Sequence, residues 1–404
     1  MESLKNLKNS SILNLNATTR CDLIIKIAQQ ISKNSNEIIK ANLLDLEQNA
    51  NLSSSIKDRL LLDEKRINSL SQSLEEIANL PEVLGIVHKG WIAKSGIKIQ
   101  KISVPIGNIA VIYESRPNIT AEIAALCIKS GNACALKGGK EAKNTNLAIM
   151  KCIKKAFEEF NINCDCVVYL DISRDEIVNL VKMDKYLDLI VPRGGSNLIK
   201  FVCENATVPV LKHDKGICHI FVDKDADLNK ALDICINAKC SRPSTCNTAE
   251  TILIHKNIAK EFLPNLKAGL DKFNTQIFGC ENTAKFIPCE IANDENFATE
   301  YLDYKVNIKI VADLDEAIWH IGKFGSGHSE AVVSENYSVC EKFLSQIDSS
   351  CVFANTSTRF NDGGEFGFGA EIGISTNKLH ARGPVGLAEL TTYKYIIRGN
   401  GQIR

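Results

Sequence analysis

Residues 109–160 read IAVIYESRPNITAEIAALCIKSGNACALKGGKEAKNTNLAIMKCIKKAFEEF. Ile109-Ala110-Val111-Ile112-Tyr113 is a continuous apolar run, the pattern of a strand buried on both faces. A helical stretch follows over about 119–130. Gly131-Asn132 then turns the chain into a second short strand, Ala133 to Leu136. Lys137-Gly138-Gly139-Lys140-Glu141 leads into another helix, about 143–160. Two more cycles follow: a strand at 166–170 with a helix near 174–183, and a strand at 187–191 with a helix from about Ser196. Alternation of this kind predicts a parallel sheet covered by helices.

Before this block the pattern is helical. Leu23, Ile24, Ile27, Ile31, Ile38 and Ile39 fall at helical spacing within 18–50, and Leu60, Leu70, Leu74, Ile77 and Leu80 do so within 56–79. Ile97, Ile99, Ile102 and Val104 sit among Lys and Gln residues and suggest short strands or a hairpin. Beyond about residue 222 a second α/β unit begins, with strands expected at 251–254, 306–310 and 331–333. The cluster GGEFGFGAEIG at 363–373 reads as a structured loop, because Phe366 and Phe368 interrupt the glycines.

At 404 residues the chain suits two or three domains. Lys plus Arg and Asp plus Glu both number 48, so bulk charge supports neither a nucleic-acid nor a membrane-surface partner. No run of 18 apolar residues occurs, and the polar start MESLKNLKNSSILNLN lacks the core of a secretion signal. The 15 cysteines show no zinc spacing; no metal is expected, and a reducing, cytoplasmic setting is.

Three motifs carry chemistry. Cys246 stands in Ser244-Thr245-Cys246-Asn247-Thr248, after Arg242-Pro243, in a polar loop where a thiol can be activated. Among so many cysteines the context singles it out, since an arbitrary one belongs to the core. Lys137 to Glu141 and Val191-Pro192-Arg193-Gly194-Gly195-Ser196 are glycine turns from strand to helix, where a phosphate can meet backbone N–H groups. Either alone is equally a plain turn; together they favour a nucleotide site. Neither a GxGxxG nor a P-loop signature is present. Arg359, in the glycine-bounded loop 355–365, suits a carboxylate clamp, although without context it reads as a surface arginine.

Six ordered blocks resemble the aldehyde dehydrogenase superfamily, and within it the γ-glutamyl phosphate reductase branch. They are PIGNIAVIYESRPNIT, ALKGGKEA, VPRGGS, SRPSTCNTAET, GSGHSEAVVSEN and STRFNDGGEFGFGAEIGISTNKLHARGPVGL. The resemblance implies two Rossmann-like α/β domains, with the site in the cleft between them and a small oligomerisation arm. Residues 1–221 would form the cofactor-binding domain with its helical start, the hairpin 86–103 contributing to the arm. Residues 222–378 would form the catalytic domain, and 379–404 the return segment and oligomerisation strand.

By the same resemblance, Cys246 is the catalytic nucleophile. Lys137 and Glu300 hold the cofactor ribose, and Gly195 and Ser196 lie under the pyrophosphate. Gly138, Gly139 and Lys140 complete the cofactor set, and Lys137 with Lys140 favours NADP(H) over NAD(H). Ser115, Asn118 and the Cys246 backbone N–H are the oxyanion candidates. Arg359 is assigned to the substrate α-carboxylate; Arg242, His328 and Arg116 are candidates for phosphate. The hydrolytic relatives place a general base in a Glu-Leu-Gly-Gly segment. Here Leu211-Lys212-His213-Asp214-Lys215-Gly216 has no glutamate, which suits acyl exchange with phosphate rather than water. His213 and His219 can each be hydrogen-bonded structural histidines, and His219 reads more simply that way. The implied substrate is L-glutamyl 5-phosphate, reduced to glutamate 5-semialdehyde in proline synthesis by a homo-oligomer, with glutamate 5-kinase a possible associate. A coenzyme A-linked acylating dehydrogenase and a catalytically silent binding homologue are the rival readings.

Overall fold

The structure, a computed structural model, describes residues 3–7, 11–212 and 215–404. The helical pattern of the early chain folds as Ala17–Lys33, Ser35–Gln48, Ser54–Leu60 and Glu64–Asn79. Asn16, Ser53 and Asp63 cap three of these with side-chain oxygens on backbone N–H groups, satisfying donors that a helix start leaves open. Leu23, Ile24, Ile27 and Ile31 form the buried stripe of the first.

The chain divides into two units. The first comprises 1–212, 367–373 and 385–404; the second comprises 213–366 and 374–384. The first unit holds a four-stranded parallel sheet, ordered Val167–Tyr169, Ala133–Lys137, Asn108–Tyr113, Leu189–Arg193. Asn108–Tyr113 is central, and its apolar run is buried as its composition requires. The chain steps outward to one side of it, then returns to its other side. The switch point therefore lies at the carboxyl ends of Asn108–Tyr113 and Leu189–Arg193, where open α/β sheets bind ligands. A separate antiparallel sheet orders Val87–Ile92, Lys98–Pro105 and Thr391–Arg398. The helix expected over 174–183 is one short turn, Ile177–Leu180.

The second unit is built on a seven-stranded parallel sheet. Its order is Glu290–Ile291, Gln276–Gly279, Lys305–Val311, Ala249–His255, Cys218–Val222, Ser329–Val333, Cys351–Ala354. One apolar cluster gathers Ile220, Ile252, Ile308 and Ala331 from these strands with Phe262, Leu263 and Leu266 of the helix Ala259–Asp271. No described helix is long and apolar enough to cross a membrane.

Candidate active site

In the first unit the expected cofactor residues gather at strand ends. Lys137 closes the strand Ala133–Lys137, and its Nζ donates to the Gly138 carbonyl at 2.7 Å. Burial lowers its pKa, against the pull of Glu141, Asp171 and Glu114. Lys140 is exposed. Gly138 has no room for a side chain: a Cβ there would lie 2.2 Å from Asn146 Nδ2. The following helix, Lys143–Glu159, is held at its start by Asp45. That buried carboxylate accepts from the Asn144 N–H at 3.1 Å and the Thr145 N–H at 2.8 Å. Gly194 approaches Glu114 closely, and Gly195 donates its N–H to Glu114 Oε2 at 2.9 Å. Gly195 is also the N-cap of the helix Ser196–Asn205, so Ser196 is that helix's first residue.

Ser115 and Asn118 lie in the same unit, with both Ser115 donors and one Asn118 amide proton engaged. Ser115, at φ 45°, donates both N–H and Oγ–H to Glu141 Oε1, at 2.7 and 2.8 Å. Asn118 donates from its amide to Glu122 Oε2 at 2.9 Å. Burial raises the Glu122 carboxyl, opposed by Asn118, Arg193 and Arg116. Arg116 thus sits among these groups in the first unit, half-buried.

The second unit brings Cys246, Arg242 and Arg359 together. Cys246 is a half-buried thiol on the loop from the helix Leu228–Cys240 to the strand Ala249–His255. Arg359 reaches the residues on either side of it. Its Nη1 donates to Thr245 Oγ1 at 2.8 Å and to Asn247 Oδ1. Asn247 in turn donates to the carbonyls of Arg359 at 3.2 Å and Asn361 at 3.0 Å. The two loops are therefore cross-stitched. Arg359 Nε is buried and meets no hydrogen-bond partner. Its guanidinium pKa is lowered by burial first and by neighbouring Arg242 second, with Asp362 and Cys246 acting in the opposite direction. An unsatisfied buried donor beside a nucleophile loop is a place for an anionic group.

Behind Cys246 the contacts are tight. A Cβ on Gly216 would fall 2.0 Å from the Cys246 carbonyl oxygen. That oxygen accepts the Cys218 thiol at 3.2 Å. Glu300 Oε1 accepts the Gly216 N–H at 2.9 Å. Burial raises the Glu300 carboxyl, moderated by that N–H and by Lys215.

His328, expected at the phosphate, lies in the second unit. The residue is fully buried, with Nδ1 2.8 Å from Ser329 Oγ and 3.7 Å from Cys218 Sγ. It underlies the loop rather than facing solvent. His219 is a structural histidine, bonded to Glu330 at 2.9 Å. His213 lies outside the described residues. The feature missed in the sequence is the ion pair of Lys239 and Glu250, 2.7 Å apart and both 0% exposed. Only the charged residues inside otherwise apolar periods at 239 and 250 hinted at it. Among the described residues no three metal-ligating side chains gather.

The comparisons agree with this geometry. The family model described as "Aldehyde dehydrogenase family" matches residues 6–282. A γ-glutamyl phosphate reductase of Nitratiruptor sp. is 52% identical over 98% of this chain and 97% of its own length. One from Nautilia profundicola is 50% identical over 100% and 99%. The crystal structure of the γ-glutamyl phosphate reductase from Thermotoga maritima superposes with a TM-score of 0.97 at 45% identity, covering 100% of this chain and 99% of that one.

Proposed function

The chain belongs to the aldehyde dehydrogenase family, in its γ-glutamyl phosphate reductase branch, and from that premise we propose that it reduces L-glutamyl 5-phosphate to L-glutamate 5-semialdehyde through a thioester on Cys246. It is an oxidoreductase of the second step of proline biosynthesis, and its family uses a nicotinamide cofactor. The observation that carries the substrate reading is the Arg359 guanidinium. It is fixed to Thr245 and Asn247 on both sides of Cys246 and keeps a buried Nε without a partner.

The Cys246 thiolate attacks the γ-acyl carbon; the C–S bond forms as the C–O bond to phosphate breaks. Arg359 and Arg242 supply positive charge beside the thiol, which favours the thiolate and holds the anionic substrate. Reduction at the thioester carbon gives a tetrahedral hemithioacetal. Its collapse breaks the C–S bond, releases the aldehyde and restores the thiolate. Backbone N–H groups of the loop, with the Cys246 N–H first among them, stabilise the oxyanion. One such donor contributes roughly 3–4 kcal/mol in a comparable site. Because the Ser115 hydroxyl and an Asn118 amide proton are engaged by carboxylates, we assign Ser115 and Asn118 to shaping the loop and keep the second amide proton of Asn118 as the other donor.

The nicotinamide, when bound, supplies the hydride. The residues present fit the nucleotide. Gly138 and Gly194 keep the two strand-to-helix turns bare of side chains, since a Cβ at either would strike Asn146 or Glu114; Lys137 is half-buried at the strand end, and Lys140 is exposed for a 2′-phosphate. We assign Lys137, Gly138, Gly139, Lys140, Gly195 and the Ser196 position to it, with Glu300 to a ribose. NADP(H) is the preferred form, and residues 1–221 and 222–378 divide nucleotide binding and acyl chemistry. The enzyme acts in the cytoplasm, as a homo-oligomer.

The test runs the reaction backward: oxidation of glutamate 5-semialdehyde, with NADP and NAD in parallel, with and without inorganic phosphate. Phosphate-dependent turnover that is faster with NADP is expected. Turnover that needs coenzyme A instead, or none at all, would sink the proposal.

A further inference from the structure

Lys239 and Glu250 form a fully buried ion pair, Nζ to Oε2 2.7 Å. Such pairs are weak devices for stability, because taking two charges out of water offsets most of their attraction. Their placement matters more. Lys239 lies in the last turn of the helix Leu228–Cys240, and Glu250 is the second residue of the strand Ala249–His255. The two residues bracket the loop that carries Cys246. The free corner of the Glu250 carboxylate, Oε1, accepts the Leu302 N–H at 3.2 Å. Leu302 stands at φ 52°, a left-handed conformation that a leucine holds only when its surroundings impose it. Two residues earlier, Glu300 accepts the Gly216 N–H, and Gly216 lies directly against the Cys246 backbone.

We infer that the Lys239–Glu250 pair is a positioning clamp. One contact fixes the span of the nucleophile loop, and the other fixes the turn that presents Glu300, so that thiol and ribose ligand are set by one buried carboxylate. The inference rests on the reading of Cys246 as nucleophile and Glu300 as ribose ligand. Neither Lys239 nor Glu250 touches substrate. Burial also lifts the Glu250 carboxyl, to about 7, with Lys239 opposing and Glu300 reinforcing the shift. The carboxylate is therefore an expensive choice for a merely structural core position.

Two double variants separate the contacts. Lys239→Met with Glu250→Gln removes both charges but leaves an amide oxygen for the Leu302 N–H. Lys239→Met with Glu250→Leu removes that acceptor too. Three quantities are read on the purified protein: NADPH affinity by fluorescence, the rate of Cys246 alkylation by iodoacetamide followed on its peptide by mass spectrometry, and Tm. Both variants are expected to alkylate Cys246 at a rate shifted about fivefold or more, with Tm near or above that of the parent. Only the leucine variant is expected to lose NADPH affinity, by about tenfold, the range for losing a positioned contact. A merely structural pair predicts instead that every loss follows Tm.

Parental alkylation in the glutamine variant overturns the clamp, and so does parental NADPH affinity in the leucine variant. If the leucine variant does not fold, alkylation of the glutamine variant decides alone. Failure of the underlying reading shows elsewhere. Undiminished turnover in Cys246→Ser or undiminished NADPH affinity in Glu300→Gln would mark that, and not the clamp, as wrong.

Discussion

Arg359 meets the nucleophile loop at Thr245 and Asn247, and its role separates from that of Cys246 by kinetics. Cys246→Ser is expected to lower kcat by about 10³-fold or more, since hydroxyl is a far weaker nucleophile than thiolate. Arg359→Lys keeps the charge but loses the fork, so KM for the acyl phosphate should rise about tenfold while NADPH affinity holds; steady-state kinetics on both substrates measures the split. His320 supplies a pH effect of known sign. Burial first, then His219 and the lysines nearby, lowers its pKa from 6.5 to about 2. Below pH 6.5 the unfolded chain binds a proton that the folded chain refuses, so this part of the stability is lost on acidification. By pH 5 that amounts to roughly 2 kcal/mol. Glu250, Glu300 and Glu330, all raised by burial, work in the opposite direction. The measurement is therefore the difference in Tm between His320→Phe and the parent at pH 7 and pH 5. The variant should gain on the parent as pH falls, and a constant difference would refute the assignment. The loop that carries Cys246 was legible as a loop because it is polar and proline-marked. The burial of His328 was not legible in GSGHSE, and its neighbour Ser329 opens a strand buried throughout.

At the scale of elements, the candidate residues of the two units obey different rules. Lys137, Glu114 and Gly195 occupy carboxyl ends of parallel strands, where the strand-end rule directs the eye. Gly216, Cys246, Glu300 and His328 instead precede their strands, at amino ends, and only the motif pointed there. The strands Cys218–Val222, Gln276–Gly279 and Cys351–Ala354 escaped the sequence reading. They are short, and their polar or cysteine residues break the apolar run, so tertiary pairing decides them. By contrast the runs at 109–113 and 133–136 are apolar enough to announce themselves. The Asp45 contact is likewise invisible in sequence, because it joins residues about a hundred apart. Asp45→Ala should cost about 1–2 kcal/mol by leaving the start of the helix Lys143–Glu159 uncapped. It should also weaken NADPH binding, since that helix follows the Lys137–Lys140 turn. Chemical denaturation and nucleotide titration check the two effects, and loss of stability with unchanged affinity would detach the helix from the cofactor.

At the scale of the molecule, the three-stranded sheet leaves Trp91, Ile92, Tyr393, Tyr395 and Ile397 exposed on its two outer strands. Edges so apolar call for a partner. Sedimentation is expected to give a mass of at least two chains, and Ile92→Lys with Ile397→Lys should lower it; a monomeric parent would refute the arm. The same sheet is stitched from residues far apart in the chain, for Lys98–Pro105 pairs with Thr391–Arg398. A ribosome delivers the first of these strands long before the second. Throughout the intervening elongation the nascent polypeptide carries Lys98–Pro105 with one flank unzipped. The closing strand emerges only after the second unit has been translated, so premature termination anywhere upstream of Thr391 would release a product whose first unit is left permanently unlaced.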